Sequence, residues 1–181
     1  MGNEMLVPAP PWEGDKIKLR PFKESDITPA YVDWLNDFEV TRFSNQRFNR
    51  HTYSTCVDHL RSFIGTSNKF FLIQDRFSEI PLGTLTIYWN LNHRTADIGL
   101  MVGDKRSWGQ GIGLDAFYTA VTQLTNSGKV RKITAGAITN NTGMVRIMEK
   151  AGLILEATRR DQELIDGRPV DVVYYAKFCC A

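Results

Sequence analysis

Eight residues near the middle of the chain, Arg106-Ser107-Trp108-Gly109-Gln110-Gly111-Ile112-Gly113, constrain the fold more than any other stretch. Three glycines alternate with other residues, and the run passes directly into a helical pattern with Leu114, Phe117, Val121 and Leu124 at spacings of three and four. Glycines at a strand-to-helix junction let bare backbone N–H groups approach an anion at the positive end of a helix dipole. Two familiar versions of that device are excluded. A P-loop ends in Gly-Lys-Ser/Thr, whereas Leu114 follows Gly113 here. A dinucleotide fingerprint spaces its glycines G-x-G-x-x-G in the first βα turn, and this run lies beyond mid-chain after several strands. What remains is an anion cradle of another kind, or a tight turn of closely packed glycines.

The flanking sequence supplies the frame. Alternation over 16–20 predicts a first strand, stopped by Pro21. Ser25 or Asp26 can cap a helix with the apolar stripe Ile27, Tyr31, Trp34 and Leu35. A second helix carries Cys56, Leu60, Phe63 and Ile64 and ends at Gly65. The period then changes, and 70–73, 82–89 and 96–102 read as strands, with hairpin composition over 90–94. After the long helix, which ends near Ser127-Gly128, come a strand at 132–138 and a short helix with Met144, Ile147, Met148 and Ala151, closed by Gly152. Two strands at 153–160 and 170–178 bracket the turn Asp166-Gly167-Arg168-Pro169. Residues 1–15, with Pro8, Pro10 and Pro11, read as a flexible N-terminal tail, and 16–181 as one domain.

Composition excludes several function classes. The 181 residues fit one domain with a proper core, and 43% hydrophobic with 23% charged residues is ordinary globular usage. A net charge of +2 suits a small anionic ligand but is too weak for a nucleic-acid surface. No apolar run reaches the roughly 18 residues of a membrane span, and the first residues lack the regions of a signal peptide. Cys56, Cys179 and Cys180 form neither a disulfide framework nor a zinc site, and His51, His59 and His93 show no metal spacing. The expectation is a reduced, cytoplasmic protein without metal, nucleic-acid or membrane partner, monomeric or homodimeric.

Arg106-x-x-Gly109-x-Gly111 resembles the (Gln/Arg)-x-x-Gly-x-(Gly/Ala) motif of GNAT N-acetyltransferases. The run from Asn141 through Glu149-Lys150-Ala151-Gly152-Leu153 is similar to that superfamily's second signature, in the right order and spacing. Leu19-Arg20-Pro21-Phe22 with Glu24-Ser25-Asp26, and the tail from Glu156 to Asp171, resemble the branch that includes ribosomal-protein N-terminal acetyltransferases. Trp34-Leu35-Asn36-Asp37 looks more like members associated with modified-sugar biosynthesis. The resemblance spans about residues 16 to 178. It implies a mixed α/β sheet of about seven mostly antiparallel strands, with the fourth and fifth parallel and splayed, and about four helices. Acetyl-CoA is then the co-substrate. Backbone N–H groups of Gln110, Gly111, Ile112, Gly113 and Leu114 then hold the pyrophosphate, Arg106 and Gly109 of the same motif also bind cofactor, and Met101 and Val102 offer backbone to the pantetheine arm and, at a bulge, to the thioester carbonyl. Asn141 contacts the cofactor or a water beside it.

For the chemistry, Asp97 matches the strand carboxylate that histone-type members use as general base, the alternative being a strand Asp paired with a nearby Arg. Some members place a tyrosine acid two residues before the motif Lys, where this chain has Met148, so Tyr174 or Tyr175 on the last strand is the substitute. Trp34, Phe38, Phe43, Tyr88 and Trp89 are either core or walls of an acceptor pocket. Arg42, Arg47 and Arg50 are either a solvated face or a site for a phosphate. The implied reaction is direct transfer of acetyl to a primary amine of a small molecule, such as a nucleotide-linked amino sugar. A protein N-terminus is the alternative acceptor, and an acyl-CoA-binding module without turnover the alternative function.

Overall fold

A computed structural model describes residues 9–179 of the chain. The element order is β1 (Trp12–Glu13), β2 (Ile17–Pro21), α1 (Pro29–Asn36), α2 (Phe38–Thr41), α3 (Tyr53–Arg61), β3 (Lys69–Asp75), β4 (Pro81–Asn90), β5 (Thr95–Val102), α4 (Ile112–Asn126), β6 (Lys132–Ile138), α5 (Thr142–Lys150), β7 (Ile154–Ile165) and β8 (Arg168–Phe178). All eight strands form one sheet in the order β1-β2-β3-β4-β5-β6-β8-β7. Every pairing is antiparallel except β5 with β6. Among the described residues no helix is long and apolar enough to cross a membrane.

Each face of the sheet carries its own core. On one face α4 lays Ala116, Phe117, Ala120, Val121 and Leu124 across Ile17, Leu19, Phe71, Ile73, Leu85, Ile87 and Ile133. On the other, α1 and α3 bring Tyr31, Cys56 and Val57 onto Phe22, Phe70 and Leu72. Side chains alternate across a strand, so burial on both faces explains why Phe70-Phe71-Leu72-Ile73 is continuously apolar and not alternating.

The structure corrects the sequence reading in several places. The described residues form eight strands and five α-helices. The additional strand is β1, where the tail was expected: Trp12 pairs with Leu19, is 2% exposed, and stacks at 4.8 Å on Phe71. A two-residue strand carries too little pattern to be seen in sequence. Residues 1–8, with Pro8, lie outside the described residues. The fifth helix is the one-turn α2, capped by Asp37, whose Oδ1 accepts from the Glu39 N–H at 2.8 Å. The cap of α1 is Thr28, ahead of Pro29 at the first helical position, because Glu24–Asp26 form a separate 3₁₀ turn in which Asp26 pairs with Arg20 at 2.7 Å. Ile64 lies beyond α3 and is exposed. The turn between β7 and β8 is tight because Asp166 and Gly167 both take positive φ, 51° and 74°, as a two-residue hairpin of mirror-image type requires.

Candidate active site

The cleft exists because two parallel strands part. β5 and β6 pair only at Thr95–Lys132, Ala96–Ile133 and Asp97–Thr134, although β5 continues to Val102 and β6 to Ile138. Beyond Asp97 the sheet therefore opens, and α4 starts at the mouth of the gap. The resulting cleft of about 1090 Å³ runs from the glycine loop and α5 across β5 to α1, α2 and α3.

The glycine loop presents backbone N–H groups that have no partner among the described residues. Gly109 and Gly111 take φ of 76° and 84°, left-handed values open to glycine, and Gly111 is the N-cap of α4. The N–H groups of Gly109, Gly111, Ile112, Gly113 and Leu114 donate to no group among the described residues. Gly113 is small for a different reason: a Cβ there would lie 3.1 Å from Ile147 Cδ1 and 3.3 Å from Val102 Cγ2, so α4, α5 and β5 close on one another only around a glycine. The N-terminal segment fixes the loop from outside. Lys16 Nζ donates to the Gln110 carbonyl at 2.7 Å, and the Asp115 carboxylate accepts from the N–H groups of Asp15, Lys16 and Ile17.

Of the residues expected to hold cofactor, Met101, Val102, Gly109, Gly111, Ile112, Gly113, Leu114 and Asn141 line the cleft, whereas Arg106 and Gln110 do not. Arg106 points to solvent, 86% exposed, and forks onto Asp104 at 3.0 and 3.1 Å. Gln110 turns its amide back onto the Arg106 carbonyl. Both brace the loop locally, Arg106 through the Asp104 carboxylate and Gln110 through a backbone carbonyl. The expected bulge in β5 is missing, since its register with β4 is unbroken from Val102 to Thr95. The Met101 carbonyl lies against β4, where a Cβ on Gly83 would approach it to 2.1 Å, and its side chain packs on the smaller core. The Val102 carbonyl already accepts from Trp108 Nε1 at 2.9 Å and keeps one lone pair. Asn141 caps α5, its Oδ1 accepting from the Met144 N–H at 3.1 Å.

The sequence reading overlooked two cations. Gly143, Arg146, Ile147 and Lys150 all line the cleft, at the 3–4–7 spacing of one helix face, and Arg146 and Lys150 form no ion pair with the described residues. That spacing was visible, but it was masked by the apolar stripe through Met144 and Met148 beside it. Neutralising both, as Arg146→Ala with Lys150→Ala, is expected to raise KM for acetyl-CoA by about tenfold or more at low salt, and less as salt rises, with kcat little changed. Initial rates at two ionic strengths check this.

Asp97 sits where the strands part. Its Oδ2 accepts from Thr134 Oγ1 at 2.5 Å, so its partner is a hydroxyl and not the arginine weighed as an alternative. Burial pushes its carboxyl above the ordinary value, against the opposing effect of the Thr134 bond. It does not itself line the cleft, although Gly99, two residues on along the same face, does. Tyr174 shares that side of the sheet and, like Asp97, does not itself line the cleft. It pairs with Gly136 of β6, a cleft residue, and its ring covers that glycine so closely that a Cβ there would lie 3.0 Å from it. Arg159 stacks on the ring at 4.9 Å, and the hydroxyl bonds to no described group. Tyr175 is a structural tie on the opposite face, buried and donating to Glu149 Oε1 at 3.0 Å. Met148 is fully buried in the larger core, so that helix position faces away from the cleft.

The far side of the cleft comes from α1 to α3. Phe43 and Tyr88 line it; Trp34, Phe38 and Trp89 do not. Trp34 instead packs under Gly103, and Trp89 is core. His51 and His59, dismissed as scattered, both face the cleft, while His93 does not. His59 lies edge-on to Phe63 and Phe70 at 5.2 Å each, and burial, with His51 nearby, holds its imidazole below the usual range. Cys56 also reaches the cleft, but burial raises its thiol. Cys179 is half-buried, 3.7 Å from Thr125 Oγ1, and not exposed as expected; Cys180 lies outside the described residues. No group of three or more potential metal ligands occurs among the described residues.

The family model for an acetyltransferase (GNAT) domain matches residues 16–154. The chain belongs to the GNAT acetyltransferase family. The GNAT fold recurs in solved structures at low identity. A GNAT-family acetyltransferase from Bacillus anthracis superposes with a TM-score of 0.78 at 19% identity, over 92% of this chain and 97% of that one. A spermidine N-acetyltransferase from Vibrio cholerae, solved with CoA and spermine, gives 0.78 at 17%, over 90% and 95%. The Salmonella typhimurium acetyltransferase that modifies the N-terminal serine of ribosomal protein L7/L12 gives 0.76 at 18%, over 92% and 96%. At these identities the likeness is one of fold. No curated protein sequence matches the chain.

Proposed function

We propose that this GNAT protein transfers the acetyl group of acetyl-CoA directly to a primary amine of a small molecule. The observation that carries the reading is the opening of β5 from β6 directly onto five unbonded N–H groups, flanked by Arg146 and Lys150. That arrangement fits a pyrophosphate at the helix N-terminus and a slender arm in the gap, as family membership implies. CoA and acetyl-CoA complexes among proteins of the same fold agree with it.

In the reaction the amine nitrogen bonds to the acetyl carbon and the carbon–sulfur bond breaks. One proton leaves the nitrogen, and the thiolate takes one. Asp97, raised by burial, is suited to receive the amine proton through a water, since it stands back from the cleft. Tyr174 carries a free hydroxyl on the same side and is the proposed donor to sulfur. The cleft walls hold the two substrates together, which removes the need for a covalent relay.

No side chain carries the acetyl group in this scheme. Cys56, the one thiol lining the cleft among the described residues, is buried, and burial raises its pKa, the opposite of an activated nucleophile. Cys56→Ala is therefore expected to keep most activity in the folded fraction, with intersecting double-reciprocal lines against both substrates. Parallel lines, with a trapped acetyl-cysteine that turns over competently, would overturn direct transfer. The function itself is tested by CoA release over a panel of small amines and N-terminal peptides. Tight acetyl-CoA binding with no turnover on any of them would leave a binding module.

A further inference from the structure

The walls of the acceptor half are short of available negative charge. Among the described lining residues outside the glycine loop and α5, the only carboxylate is Glu39, and its Oε2 lies 2.6 Å from Lys105 Nζ. The same ammonium also holds Asp37 at 2.7 Å, so Glu39 Oε2 is engaged in a cluster of two carboxylates around one ammonium. Opposite in sign is Arg50, which lines the cleft just before α3. Its guanidinium makes no ion pair, hydrogen bond or ring contact with any described residue. The arginines near it in sequence are occupied: Arg42 lies over Phe43 at 5.1 Å, and Arg47 covers Phe48 at 4.3 Å and donates to the Leu164 carbonyl.

This inventory discriminates between classes of amine. A polyamine keeps one or more ammonium groups after the reacting nitrogen is neutral, and a buried ammonium is best compensated by a carboxylate that replaces its water. Outside the glycine loop and α5, the described lining offers only Glu39, one of whose oxygens already faces Lys105. An amine with an anionic group finds in Arg50 a planar fork of donors with nothing else to bind. A nearby guanidinium also disfavours the ammonium form of the reacting nitrogen, and so increases the neutral fraction that attacks. Burial that keeps His59 neutral leaves Arg50 the dominant charge on the α3 side.

We propose that the acceptor is a primary amine bearing a phosphate or carboxylate, and that Arg50 is the residue that holds this anion. The proposal rests on the acetyl-transfer reading for its chemistry, but anion binding can be measured separately.

Matched amines test it, with CoA release read as initial rates: phosphoethanolamine against ethanolamine, glucosamine 6-phosphate against glucosamine, β-alanine for the carboxylate, and spermidine. The expected result is a kcat/KM for one or more anionic amines at least about tenfold above the neutral partner, and spermidine poorer still. Which anionic amine leads distinguishes phosphate from carboxylate. In Arg50→Gln the advantage should fall to near unity, with KM for acetyl-CoA unchanged. Equal or better rates with ethanolamine, glucosamine or spermidine overturn the proposal, as does an Arg50→Gln variant slowed equally on all amines. If nothing is acetylated although acetyl-CoA binds, the transfer reading has failed. Saturation-transfer NMR of phosphoethanolamine and β-alanine on the acetyl-CoA-loaded protein then decides the anion site by itself. Binding that Arg50→Gln abolishes supports the site, and no binding, or binding indifferent to the substitution, overturns it.

Discussion

Asp97→Asn is expected to lower kcat by about 10²–10⁴-fold, the usual cost of a lost general base, while acetyl-CoA affinity stays as in the parent protein. Asparagine keeps the shape and still accepts the Thr134 hydroxyl through its amide oxygen, so the joint between β5 and β6 is preserved. Stability separates this from a structural role. Burial is the larger influence on the Asp97 carboxyl and raises it from the ordinary 3.8, with the Thr134 bond opposing. A carboxylic acid whose folded-state pKa is raised favours folding when protonated. That contribution is fully present below 3.8 and is lost as pH climbs through the raised value, so at neutral pH the ionised group opposes folding. Asp97→Asn should thus be at least as stable as the parent at pH 7 and still slow. The acidic limb of the pH–rate profile should flatten with it. Thermal unfolding and rates from pH 5 to 9 provide the measurement. A variant of undiminished rate makes Asp97 a strand residue only, and one that is slow because it unfolds points the same way.

Gly111→Val is expected to weaken acetyl-CoA binding by at least about tenfold. Crowding is not the reason, because a Cβ at this position would meet only the end of Lys16, 3.6 Å away. The reason is the backbone. Gly111 holds φ at 84°, and a β-branched residue there costs about 1–3 kcal/mol unless the chain rotates away. Rotation turns the Gly111 N–H, and those following it at the start of α4, out of their shared direction. Asparagine tolerates the left-handed region, so Gly111→Asn should retain most of the affinity and serves as the control. Calorimetric titration with acetyl-CoA reads both variants. If the valine protein folds and binds like the parent, the phosphate cradle lies elsewhere.

The long helix, the glycine loop before it and the seven longer strands were legible because each rests on a local regularity. These are the apolar periods of two and 3.6 residues, and a glycine-to-helix junction. The second GNAT signature was legible in the same way, as residues at set spacing along α5. β1 and α2 were not, because two- and four-residue elements hold only about one repeat of their patterns, too little to show a period; Trp12 is ordered by burial against Phe71 and not by its neighbours in sequence. Arg106 looked like a phosphate ligand from its place in a motif, yet its nearest opposite charge is Asp104, two residues away, and that local pair turns it outward.

Sequence by itself determined the family, the order of the longer elements and the glycine loop that opens α4, since these depend on residues adjacent along the chain. Only the tertiary structure decided which side chains share the cleft. The convergence of Arg50, Cys56 and His59 with Arg146 and Lys150 depends on how α3 and α5 pack on opposite sides of the gap between β5 and β6. Which residues some ninety positions apart line one cleft is set by sheet order and core packing, and no spacing along the chain records it.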